Sequence, residues 1–170
     1  SYRTVRMLAT IKEHMENGRL GEAYELVQRL NQKKIKRVQD LNMIAQVCFH
    51  TGHYEEAREV NRQVFERTSS RRALAQLVEL SIKLGLPEEA EAYLEQYEAV
   101  APTDSTRLIY RFRILKLLHA SLDEQIAVLE KWKTEEYAER WAYELAKLYH
   151  KNMDADACVR ECNDIILWFG

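Results

Sequence analysis

Four short segments of this chain share one layout: a turn-forming residue, a few small or polar residues, then alanine. They are Gly18-Arg19-Leu20-Gly21-Glu22-Ala23, Gly52-His53-Tyr54-Glu55-Glu56-Ala57, Gly85-Leu86-Pro87-Glu88-Glu89-Ala90 and Asn152-Met153-Asp154-Ala155-Asp156-Ala157. The alanines lie 34, 33 and 67 residues apart, and 67 is two periods. Ser121-Leu122-Asp123-Glu124-Gln125-Ile126 supplies the missing member, with Ile126 in the place of alanine. A period of this length means that one supersecondary unit is repeated and stacked, because a single unit cannot bury its own apolar face.

The chemistry of the repeat identifies the unit as a pair of helices. A first helix ends at glycine, which takes the left-handed conformation that closes a helix without steric cost. A second helix opens at once, with acidic residues where they meet the positive end of its dipole. Pro87 stands in such a first turn, where its missing N–H costs nothing. The recurring alanine marks a close helix crossing. Ser69 or Ser70, Thr103 or Asp104, and Thr134 are expected N-caps for repeats three, four and five, and Pro102 stops the helix before it. The predicted helices are 3–17, 20–32, 37–51, 54–67, 70–84, 87–100, 104–119, 122–133, 135–151 and 154–168. They form a single all-α domain over 1–170, with repeats at about 3–35, 37–69, 70–103, 104–134 and 135–168.

Composition agrees and removes alternatives. Five Gly and two Pro in 170 residues are too few for a protein of strands and tight turns. No apolar run reaches the roughly 18 residues of a membrane span, and there is no signal-peptide pattern. Three cysteines, Cys48, Cys158 and Cys162, are an odd number in a chain with ample apolar residues. They read as reduced thiols of a cytoplasmic protein. The net charge of −2 hides an asymmetry. Residues 1–72 hold 14 Lys and Arg against 9 Asp and Glu, and residues 73–170 hold 11 against 18. Helical repeats that read RNA need a basic groove. The acidic balance of repeats three to five argues against nucleic acid as a partner.

The pattern resembles the tetratricopeptide repeat family, whose unit ends its first helix at Gly and carries Ala early in its second. The resemblance covers the whole chain and is clearest in repeats one to three. The family's Trp early in the first helix is Met7, Leu41, Leu74 and Tyr110 here, and survives only as Trp141. Its mid-helix Gly is Ile11, Ala45, Val78, Ile114 and Leu145. The last stretch, from Glu144-Leu145-Ala146 to Trp168-Phe169, is also similar to long bacterial repeat proteins. The resemblance implies a right-handed α-solenoid of about ten antiparallel helices, acting as an interaction scaffold for a protein or peptide in its concave groove.

First helices line the inner face of such a stack. Counting back from each turn places Val5, Leu8, Lys12 and Met15 there in repeat one, and Gln39, Asn42, Gln46 and Phe49 in repeat two. Repeat three gives Arg72, Ala75, Glu79 and Ile82, with Gln76 adjacent. Repeat four gives Leu108, Arg111, Leu115 and Leu118, and repeat five Glu139, Ala142, Ala146 and Tyr149. The expected peptide site is a polar strip of Asn42, Gln46, Arg72, Gln76, Glu79 and Arg111. Amides bond both the N–H and the C=O of an extended chain, and arginines take carboxylates by two-pronged contact. The family's clamp for a C-terminal carboxylate is not matched: its positions fall on Leu8, Lys12 and Met43, or on Asn42, Gln46 and Gln76.

No catalytic residues, cofactor or metal are expected. The sequence has no Gly-rich phosphate loop and no nucleophile elbow. Cys158 and Cys162 are one turn apart, yet lack the further ligands that zinc requires and read as core thiols. His50 and His53 flank a turn at ligand-like spacing, and His50, His119 and His150 fall near the ends of three first helices as a solvated rim. The apolar end Ile165-Ile166-Leu167-Trp168-Phe169 suggests a piece of a longer protein, or self-association through Trp168 and Phe169. A sensor array driving an attached output domain, and a structural spacer, are the other roles this architecture admits.

Overall fold

The computed structural model describes residues 1–135, 139–152 and 160. Among these, nine α-helices and one short 3-10 turn account for the regular structure. The helices are α1 (Tyr2–Glu16), α2 (Leu20–Arg29), α3 (Val38–His50), α4 (Tyr54–Thr68), α5 (Arg71–Lys83), α6 (Pro87–Val100), α7 (Thr106–Leu117), α8 (Leu122–Glu135) and α9 (Glu139–Lys151). The expected tenth helix, 154–168, lies outside the described residues. The chain divides into two compact units, Ser1–Leu86 and Pro87–Gly170.

In the first unit, α1 to α5 pack in sequence around one core. Ile11, Val27, Leu41, Ile44, Val47, Val60, Val64 and Leu80 are among its buried aliphatic residues. Ala23 and Ala57 are wholly inaccessible, as a close helix crossing requires. Each buried aliphatic side chain stabilises the fold by about 1.5–3 kcal/mol through area removed from water. In the second unit, Phe112, Ile126, Leu129, Leu145 and Leu148 from α7, α8 and α9 form the core.

The turns between paired helices follow one hydrogen-bond scheme. Gly18, Gly52 and Gly85 adopt φ of 72°, 82° and 70°. In the second turn the N–H of Gly52 donates to the Phe49 carbonyl at 3.1 Å, and that of His53 to Cys48 at 2.8 Å. The turn after α7 repeats these two bonds without glycine. His119 takes φ 54°, its N–H reaches Lys116 at 3.1 Å, and that of Ala120 reaches Leu115 at 3.0 Å. A histidine therefore does the work of the missing glycine.

That turn is one residue longer than the others, which corrects the register of repeat four. Ala23, Ala57 and Ala90 are each the fourth residue of their helix, and the fourth residue of α8 is Gln125, not Ile126. Gln125 is buried, and its amide donates to the Ala120 carbonyl at 3.0 Å. Ser121 and Glu124 close the start of α8 reciprocally. The Glu124 N–H donates to the serine hydroxyl, and the Ser121 N–H donates to the Glu124 carboxylate.

Other boundaries move for local reasons. Helix α2 stops at Arg29 rather than 32, because the Asn31 side chain accepts from the Lys33 N–H and starts the 3-10 turn at Gln32–Lys34. Ser70 caps α5 by accepting from Ala73 at 3.1 Å, while Ser69 closes α4 at φ 49°. Asp104 accepts from the Thr106 N–H at 3.0 Å, so α7 begins at Thr106 and not at 104. Thr134 is no cap: it sits inside α8, its hydroxyl donating back to the Glu130 carbonyl.

Candidate functional site

The surface of the first helices separates by what their buried stripes leave over. In repeat two, Leu41, Ala45 and Val47 are buried before Gly52. Leu74, Val78 and Leu80 precede Gly85 at the same spacing, and Leu108, Phe112 and Ile114 precede His119 likewise. With His119 as the reference, Arg113 stands where Gln46 and Glu79 stand in repeats two and three, and Arg111 stands where Ile44 and Leu77 are buried. In repeat five Ala142 and Ala146 are buried, so the open face carries Tyr143 and Lys147 rather than those alanines.

Three of the expected site residues meet in one place. Gln46, Gln76 and Glu79 line a pocket of about 210 Å³ in the first unit, with Phe49 and His50 of α3 and Asn61 of α4. Ala45 and Leu80 complete its apolar wall. Asn42 is half-buried and Arg72 exposed, and neither lines the pocket. Arg111 belongs to the second unit, where its guanidinium lies 3.0 Å from Glu98 and 3.7 Å from Glu91 on α6. It ties α7 to α6.

Asn61 is the residue that the sequence pattern did not single out. It occupies the place in α4 that Val27 holds in α2, Leu94 in α6 and Leu129 in α8, all of them buried. Only 3% of it is exposed, and its Oδ1 has no hydrogen-bond partner. Leaving such an oxygen unsatisfied costs about 1–3 kcal/mol. The readable signal was a polar residue interrupting an otherwise apolar stripe of a second helix.

Aromatic and charged groups surround the mouth. Phe49 meets Tyr54 edge-on at 5.6 Å, and the Lys83 ammonium stands 5.7 Å from the Phe49 ring centre. Lys83 also approaches the Glu79 carboxylate at 3.9 Å. Nearby, His53 stacks on Tyr24 at 3.7 Å and shares a 2.8 Å hydrogen bond with Thr51. The Tyr24 hydroxyl donates to Glu56 at 2.6 Å, which, with burial, raises the phenol to about 12. Cys48 is fully buried, and desolvation pushes its thiol up to about 12, so it carries no thiolate at neutral pH.

The second unit has a different surface. Lys116, His119, Gln125, Glu144, Lys147 and Lys151 border a cavity of about 480 Å³. The acidic surplus of this half lies largely on the second helices, with Glu88, Glu89, Glu91, Glu95 and Glu98 all on α6. Helix α7 has four basic residues and no acidic one. Net charge by repeat is therefore a poor guide to the charge of the first-helix face.

Residues 72–104, spanning α5 and α6, match the tetratricopeptide repeat family model. The third repeat is a tetratricopeptide repeat, and the chain has the fold of tetratricopeptide repeat proteins. The structure of MamA 41-end from Desulfovibrio magneticus RS-1 superposes with a TM-score of 0.76 at 14% identity, covering 98% of this chain and 94% of that one. A tetratricopeptide repeat protein from Parabacteroides merdae ATCC 43184 gives 0.75 at 15% identity, over 96% of this chain and 64% of that one. MamA MSR-1 gives 0.70 at 13% identity over the full length of both. Identities this low speak for the shared fold. No curated protein sequence matches the chain.

Among the described residues, no group of three or more His, Cys, Asp or Glu side chains is placed to hold a metal ion. His50 and His119 are not equivalent: His50 ends α3, whereas His119 is the left-handed residue of its turn. Cys158, Cys162, Trp168 and Phe169 lie outside the described residues. No helix among the described residues is long and apolar enough to cross a membrane.

Proposed function

We propose that this protein is an interaction module that holds an extended segment of a partner protein against the first helices of repeats two and three. The pocket formed by Gln46, Phe49, Gln76 and Glu79 over the buried Asn61 carries this reading. It is partly apolar, so it removes hydrocarbon from water. It also presents side-chain amides that can donate and accept at once, as the backbone of an extended peptide requires. Asn42 and Arg72 flank it as contacts of lower weight. The tetratricopeptide fold supports the same reading, since stacked helix pairs offer a continuous row of first-helix side chains.

The test compares partner capture by wild type with two double variants. Gln46→Ala/Gln76→Ala is expected to lose the partners that wild type retains, and Asn42→Ala/Arg72→Ala to keep most of them. Equal retention by wild type and the Gln46/Gln76 variant would remove the pocket from the function.

A further inference from the structure

We infer that the pocket under Gln46 and Gln76 receives one arginine side chain of the bound segment. The inference rests on the docking reading above and adds the chemistry of the recognised residue. At about 210 Å³ the cavity is smaller than the roughly 300–1,000 Å³ of small-molecule sites, and suits a single long side chain.

Its acceptors select that side chain. Asn61 Oδ1 is buried without a donor at a place where the corresponding helices carry Val27, Leu94 and Leu129. Gln46, Gln76 and Glu79, which line the same pocket, bring further acceptors in their side-chain carbonyls and carboxylate. A guanidinium brings five N–H donors in one plane and can serve several acceptors at once, which a compact ammonium on a flexible stem does less well. Phe49 offers a ring face for that plane, and Ala45 and Leu80 offer hydrocarbon for the three methylenes of the stem. Lys83 is a neighbouring cation, 3.9 Å from the Glu79 carboxylate and 5.7 Å from the Phe49 ring centre. It competes with the incoming guanidinium for the carboxylate, and its removal strengthens binding.

A random heptapeptide library displayed on phage and selected on the immobilised 170-residue chain reads this directly. The expected result is enrichment of arginine at one position. Fluorescence polarisation of an enriched peptide is then compared with its Arg→Lys and Arg→citrulline forms, both of which bind more weakly. Asn61→Val is the decisive variant. It puts an apolar residue where α2 already has Val27, so it folds and melts no earlier than wild type. It is expected to lose about ten- to a hundredfold in affinity, as removal of a hydrogen bond to a charged group does. Glu79→Gln weakens binding and Lys83→Ala tightens it. Enrichment without an arginine preference, or a folded Asn61→Val protein that binds as tightly as wild type, overturns the arginine inference and leaves docking intact. Failure to enrich any sequence removes both.

Discussion

The turn after α3 and the turn after α7 close their helices by the same hydrogen bonds with different residues. Both close a helix with a left-handed residue and the same two hydrogen bonds, but one uses Gly52 and the other His119. The second also has an extra residue before the next helix begins. The hydrogen-bond scheme is what these turns have in common, and glycine is only its least strained solution. The consequence reaches the surface. Counted from His119, the first-helix face of repeat four presents Arg113 and Lys116, while repeats two and three present Gln46, Phe49, Gln76 and Glu79. One unit thus displays an amide and aromatic pocket, and the other a basic face.

The largest effect expected from this comparison concerns the helix position shared by Leu77, which is buried, and Arg111, which is not. Leu77 is wholly inaccessible, and Leu77→Ala is expected to destabilise its unit by about 2–5 kcal/mol, through lost burial and the cavity left behind. Arg111 faces Glu91 and Glu98 with partly exposed side chains. Arg111→Ala is expected to cost less than about 1 kcal/mol, the range of solvated ion pairs. Urea unfolding followed by circular dichroism separates the two. Equal losses would mean that Arg111 is packed as a core residue, as Leu77 is, and is not held by its solvated ion pairs.

The fold was legible because its signals are local. Gly18, Gly52 and Gly85 mark left-handed turns, Ala23, Ala57 and Ala90 mark crossings, and acidic first turns mark the second helices. All of these are fixed by backbone sterics and dipoles within a few residues. Repeat four blurred for a physical reason: histidine is a poor left-handed residue, so nothing in its identity announces φ 54°. Its Ser121…Glu124 pair was a readable start signal for α8 and, used as one, would have corrected the count. Of the expected strip, Gln46, Gln76 and Glu79 do line one pocket. Asn61 was hidden because its role depends on α3 and α5 framing the space above it, which no spacing rule within α4 contains.

A smaller effect tests the turn itself. A Cβ added at Gly52 would meet nothing within 4 Å, so the cost of Gly52→Ala is the backbone strain alone. That is about 1–2 kcal/mol for a left-handed non-glycine residue. The reciprocal change, His119→Gly, is expected to stabilise by about 1 kcal/mol or less, since relief of strain is partly offset by the greater freedom of glycine in the unfolded chain. Thermal melts of the two variants decide it. If His119→Gly is destabilising, the histidine contributes contacts beyond its backbone, and the two turns are not variants of one device.

The smallest effect concerns how tyrosines tie neighbouring helices. In the first unit Tyr24 of α2 donates to Glu56 of α4, and in the second Tyr149 of α9 donates to Glu130 of α8. The Tyr24 bond exists only while the phenol is protonated, and it raises that phenol from 10.0 to about 12. The folded value lies above the unfolded one. The bond's contribution is therefore fully present below pH 10 and is lost as pH rises through about 12. NMR titration with ring-labelled tyrosine should show one resonance, absent in Tyr24→Phe, that moves well after the ordinary tyrosines. Glu56→Gln replaces the carboxylate by a neutral acceptor and should bring that resonance down towards the rest. If the Tyr24 resonance moves near pH 10 in wild type, the link between α2 and α4 is not held by this bond. Its resemblance to the Tyr149–Glu130 link would then be one of placement only.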